Sequence, residues 1–221
     1  MLRAAGVSIA VLALGFVITM VVAAARYPGG TWCQPHAPGY DLWRSFFCDV
    51  LHSRALNGTP NPGAPAARAA IVLIAAAFLP FWLAVPSTLE LTRARARLVR
   101  IVGTASAVAC LAVALTPSDR FPEWHQAAVL SGAGAGVLAA LIAVSSRQLP
   151  LSQSSSALRW LAWAALLAAA LDAALYAAQL ASPAPCATAL PALQKFAAAL
   201  VLAWMLGTAW VLVAPRRRPA A

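Results

Sequence analysis

Apolar residues run through this chain in long unbroken stretches, and polar residues gather in the segments between them. Six stretches, at about 5–25, 66–85, 99–116, 124–145, 158–180 and 190–213, are long enough to cross a bilayer. A hydrocarbon core of about 30 Å, at 1.5 Å of rise per residue, asks for roughly 20 residues. None alternates polar with apolar over about ten residues, as a barrel strand does. Lipid offers the backbone no hydrogen-bond partners, so continuous runs of this kind must be helices. The pattern predicts an all-α polytopic membrane bundle of six transmembrane helices, one domain over 1–221.

The first stretch, with Arg3 ahead of it and Ala23-Ala24-Ala25 at its end, has the outline of a secretory signal peptide. Its apolar core exceeds the 7–15 residues usual for such a leader, and it is read as a retained first helix. The longest connection, 26–65, carries a segment of mixed character at 40–55 (YDLWRSFFCDVLHSRA). Leu42, Trp43, Phe46, Phe47, Val50 and Leu51 stand there beside Arg44, Asp49 and His52, which predicts an amphipathic helix in the outer interface.

Composition sharpens this picture. The chain is 62% hydrophobic and 10% charged, with a mean hydropathy of +0.78. Soluble domains carry about 45–50% apolar and about 25% charged residues. A disordered chain, a disulfide-dense miniprotein and a fibrous repeat are excluded. The net charge of +10 would suit a nucleic-acid partner, but its placement argues otherwise. With both termini cytoplasmic, ten arginines (Arg3, Arg93, Arg95, Arg97, Arg100, Arg147, Arg159 and Arg216–Arg218) lie inside, against five outside. The excess therefore sets topology and faces anionic lipid, and no nucleic-acid partner is predicted.

The polar residues left within or beside the spans are the candidates for function, because an ionisable group at midplane costs at least about 2.5–3.5 kcal/mol. Asp172, Tyr176 and Gln179 form one helical stripe in the fifth span, and Lys195 follows Gln194 in the sixth. Asp172 and Lys195 are expected partners, either as a register-fixing charge pair or as ligand contacts. Asp49 and His52 lie three residues apart, and Asp119, Glu123 and His125 bracket the third connection. All belong to the outer half. His52, His125 and Asp119 would be the ligands of a zinc site, although no HxxxH or HExxH pair is present and no cofactor is predicted. Asp49, Asp119 and His125 are the candidate acid–base groups, with Ser45 or Tyr176 nearby. Gly132 and Gly136 form a small-xxx-small pair suited to close helix approach.

Of the four cysteines, Cys110 is mid-span and reads as an apolar filler, while Cys33, Cys48 and Cys186 fall on the outer side. One bridge is expected. Cys33–Cys186 is preferred over Cys33–Cys48, and sequence leaves both open.

Several short motifs occur together: Arg26-Tyr27-Pro28-Gly29-Gly30, Phe47-Cys48-Asp49-Val50-Leu51, Asn57-Gly58-Thr59-Pro60-Asn61-Pro62, Leu171-Asp172-Ala173 and Leu190 to Lys195. With Asp119 before His125, they make the chain resemble a bacterial six-span family, domain of unknown function 998, itself similar to the DRAM/FRAG-like membrane proteins. Cys48 stands where that family has Ser, and Gln194-Lys195 where it has Glu-Arg. The resemblance implies a six-helix fold in the bacterial cytoplasmic membrane and one constellation of Asp49, Asp119, His125, Asp172 and Lys195. It implies no reaction.

The expected function is binding of a lipid or other hydrophobic ligand in an outward-facing polar cavity. His52 and Tyr176 would join the constellation as ligand contacts, and membrane lipids would be the partners. The alternatives are an intramembrane hydrolase or lipid-modifying enzyme, metal-dependent or acid–base, and a subunit of a membrane complex or homo-oligomer.

Overall fold

A computed structural model describes residues 2–145, 153–182 and 189–214. Its helices are α1 (Leu2–Ala25), α2 (Ala64–Thr88), α3 (Arg93–Leu115), α4 (Pro122–Val144), α5 (Gln153–Ala181) and α6 (Leu190–Val213). All six are long and apolar enough to cross a membrane, and no strand forms among the described residues. This is the architecture of a multi-pass membrane protein. Proline opens α2, α4 and α6 within their first turn, where its missing N–H has no intrahelical acceptor to lose.

In α1 the packing logic is plain. Gly6, Ile9, Ala13, Phe16, Met20 and Ala23 recur every three or four residues and are buried. Val7, Val11, Leu14, Ile18 and Val21 occupy the opposite face and are exposed, as a lipid-facing stripe must be. Each helix packs on its chain neighbours, α6 closes back onto α1, and α2 also reaches α6. The contact between α4 and α5 is the sparsest of the ring. The start of α1 and the end of α6 meet at one end of the bundle, here the termini end; the long first connection lies at the other, here the loop end.

The termini half is held by close packing. Phe81, Trp82 and Trp204 meet edge-to-face, with ring centroids 4.8, 4.9 and 5.7 Å apart. Gly103 in α3 lies against the Trp82 indole so closely that a Cβ would collide with it. Ser106 donates a 2.8 Å hydrogen bond to the Gly132 carbonyl, an approach that the small residues of α4 permit.

The expected amphipathic helix over 40–55 does not form. The segment is a succession of turns with one 3₁₀ turn at Asp49–Leu51. Its polar side chains compete with the helix for backbone groups. Asp41 accepts from the Trp43 and Arg44 N–H groups, and Asp49 accepts from the Phe46 N–H at 2.7 Å. Val50 and Leu51 are fully buried, so the segment plugs the loop end instead of lying on it.

Candidate functional site

The first connection folds around a few side chains that bond its backbone. Tyr27 Oη accepts from the Leu56 N–H and donates to the Gly30 carbonyl. Gly29 and Gly30 both have positive φ, 134° and 92°, and any side chain there would strike the backbone opposite. Buried Asn61 donates to the Val50 and His52 carbonyls at 2.9 Å and accepts from the Gly63 N–H. Arg68, from α2, donates to the Leu51 carbonyl and to Ser53 Oγ. Irregular backbone at a membrane edge persists only when its polar groups are satisfied internally, and these residues do that.

Two residues of α6 latch this structure down. Gln194 Oε1 accepts from the Phe47 N–H at 2.9 Å. Lys195 donates to the Ser45 carbonyl and to the Pro191 carbonyl. Its ammonium lies 5.5 Å from the Tyr40 ring centroid and 5.0 Å from that of Phe47. Lys195 is therefore a clasp that makes no contact ion pair with Asp172, although the two charges still attract. Among the described residues the one ion pair is Arg44–Asp41.

Between the latched loop, the α3–α4 turn and helices α4 to α6 lies a cavity of about 700 Å³. Asp49, His52, Asp119, His125, Asp172 and Tyr176 all line it, so six of the seven expected ligand contacts come together; Lys195 does not line it. Asp49 is almost fully buried, and desolvation pushes its carboxyl up to about 7, against the pull of the Phe46 and Trp32 donors. His52 is also buried, which lowers its proton affinity and favours the neutral imidazole, while nearby Asp119 favours the charged form. Its Nε2 lies 2.5 Å from Ser118 Oγ. Asp119 accepts from the Ser53 N–H at 2.7 Å, pinning the α3–α4 turn to the loop.

His125 is the unusual member. It is 2% exposed, and its Nδ1 lies 2.7 Å from the Thr116 carbonyl. A carbonyl only accepts, so Nδ1 carries the proton and Nε2 presents a lone pair. That Nε2 is buried with no hydrogen-bond partner. An orphaned buried acceptor costs about 1–3 kcal/mol, which a donor-bearing ligand would recover.

A second cavity, of about 240 Å³, lies deeper among α2 to α6. Phe81, Trp82, Val113, Leu166 and Trp204 line it, and it is almost wholly apolar. The two cavities share Val129 and Ala133 of α4 as walls. They follow from the sparse α4–α5 contact and from the small residues on both helices.

His52, His125 and Asp119 border the same cavity, yet among the described residues no three His, Cys, Asp or Glu side chains gather as a metal site. Cys33 is disulfide-bonded, whereas Cys48 and Cys110 are free thiols. The alternative Cys33–Cys48 bridge is thereby overturned; the preferred partner, Cys186, lies outside the described residues. Ser118, Asn61 and Gln194 carry roles that sequence reasoning missed. For Asn61 the signal was its position between Pro60 and Pro62, where a side chain must supply the hydrogen bonds that proline lacks. No protein-family model, curated protein or solved structure matches this chain.

Proposed function

We propose that this multi-pass protein binds a lipid or similar amphiphile, with the polar head in the loop-end cavity and the chain in the deeper one. The observation that carries the reading is the shared lining at Val129 and Ala133, which sets a chamber bordered by ionisable residues beside an apolar one. The polar chamber alone lies within the range of about 300–1,000 Å³ typical of ligand pockets. The unpartnered His125 Nε2 favours a head that donates a hydrogen bond, such as a hydroxyl or ammonium. The arginine distribution supports cytoplasmic termini and an outward-facing loop end, and the family resemblance supports a bacterial cytoplasmic membrane.

Native mass spectrometry of the detergent-solubilised protein tests this directly. The wild type is expected to carry a lipid adduct, and Ala133→Phe, which fills the junction, to lose it. A wild type that is lipid-free under gentle extraction, or an Ala133→Phe protein that binds as before, overturns the reading.

A further inference from the structure

Ser118 and His52 are brought together from residues 66 apart in the chain, at the wall of the polar chamber. His52 enters from the first connection, held by Asn61 at its carbonyl. Ser118 sits just beyond α3, in the short turn that Asp119 fastens to the Ser53 N–H. With the His52 proton on Nδ1, Ser118 donates its hydroxyl hydrogen to Nε2 across 2.5 Å. A nucleophile in hydrogen-bond contact with a base, beside a chamber suited to an amphiphile, is the minimal arrangement for acyl transfer.

We infer that Ser118 and His52 form a nucleophile–base pair that cleaves a carboxylic ester of the amphiphile held in the paired cavities. The inference rests on the amphiphile reading given above. In the first step His52 Nε2 takes the Ser118 proton as Oγ bonds to the ester carbonyl carbon. The ester C–O bond then breaks, and the departing alcohol leaves with the proton from His52. Water attacks the acyl-serine in the same way, giving its proton to His52, which returns it to Ser118 Oγ as the carboxylic acid departs. One water is consumed and nothing is oxidised or reduced. The Asp119 carboxylate, held close by its bond to Ser53, favours the imidazolium formed in each half.

The neutral imidazole that burial favours is the form able to accept that proton. His125 remains separate: its Nδ1 is committed to Thr116, and its free Nε2 serves the bound head. Ester chemistry thus uses a serine and a histidine placed by two different connections, which the Ser53 N–H to Asp119 carboxylate bond ties together.

The test uses full-length protein in mild detergent and a long-chain alkyl fluorophosphonate, which forms an Oγ–P bond on an activated serine with loss of HF. The expected result is a single adduct by intact mass, mapped to Ser118 by peptide sequencing. S118A should give none, and H52Q should label about 100-fold more slowly or worse, the usual contribution of a positioned base. No adduct on the wild type, an adduct on another residue, or an H52Q rate equal to wild type overturns the inference. The wild-type mapping needs no variant to fold. Native spectra of the untreated sample separate the two ideas: bound lipid without an adduct removes only the nucleophile, whereas a lipid-free protein without an adduct removes both.

Discussion

The two halves of this bundle solve the same problem by different means. In the termini half, Phe81, Trp82, Trp204 and Gly103 fit by shape, with ring against ring and ring against backbone. In the loop half, Asn61, Tyr27, Arg68, Gln194 and Lys195 hold irregular backbone through hydrogen bonds. Shape packing leaves only the smaller, apolar cavity beside these rings, because apolar side chains gain only by contact. A hydrogen-bonded framework can stand around space, because its groups are satisfied by one another. The chamber, its titratable residues and the Ser118–His52 contact accordingly all occur in the loop half.

The sharpest way to break this comparison is to damage each half once. Asn61→Ala orphans two carbonyls and one N–H inside the protein, a loss on the order of 3 kcal/mol or more. Gly103→Ala drives a methyl into the Trp82 indole, an overpacking cost of about 1–3 kcal/mol. Thermal unfolding in detergent should rank them in that order. Native spectra should show lipid lost from the Asn61 variant and retained in part by the Gly103 variant, whose displaced Trp82 indole borders only the apolar cavity. If both lose lipid together, the halves are not independent.

A second difference emerges only with pH, and it belongs to the loop half alone. Asp49 is raised to about 7 in the folded protein from an ordinary value of 3.8. Between those values the folded state keeps a proton that the unfolded chain has released, so stability falls as pH rises from about 4 to about 7. His52, lowered by burial, works in the opposite direction through its own window. That contribution is common to wild type and Asp49→Asn, and it cancels in their difference. The midpoint of wild type minus that of Asp49→Asn should therefore decline across pH 4–7 and level off above it. A flat difference would mean that Asp49 is ionised throughout, its charge carried by the Phe46 and Trp32 donors.

The helices were legible because lipid enforces a simple code. All six runs needed only length and continuous apolarity, and their ends moved by a few residues at most, apart from the N-terminal ends of α3 and α5, which extend into polar sequence. The loop half was legible in its membership but not in its wiring. Asp49, His52, Asp119, His125, Asp172 and Tyr176 stood out as polar residues in apolar surroundings, and they do share a chamber. Segment 40–55 misled because Leu42, Phe46, Val50 and their neighbours satisfy helical spacing, while Asp41 and Asp49 take the backbone N–H groups. Lys195 misled for a related reason. A sequence displays carboxylates as partners for a lysine, but not the carbonyl of Ser45 or the faces of Tyr40 and Phe47. Gly103 was silent, since its meaning lies wholly in the indole that faces it.

The clasp itself can be opened, and Cys48 reports on it. This free thiol lines the chamber next to Phe47, and burial pushes it up to about 12, so little thiolate exists at neutral pH. Thiolate is the reactive form, so N-ethylmaleimide should modify Cys48 slowly in the wild type. Lys195→Met keeps most of the apolar stem but removes the donor to Ser45 and both ring contacts. The turn carrying Phe46, Phe47 and Cys48 would then lose one anchor to α6 and keep the Gln194 bond. Cys48 should label severalfold faster in that variant, while Cys110 in α3, which the clasp does not touch, keeps its rate. Equal acceleration of both thiols would point to general loosening of the bundle. No acceleration of either would mean that the Gln194–Phe47 bond suffices, making the loop half more redundantly wired than its single lysine suggests.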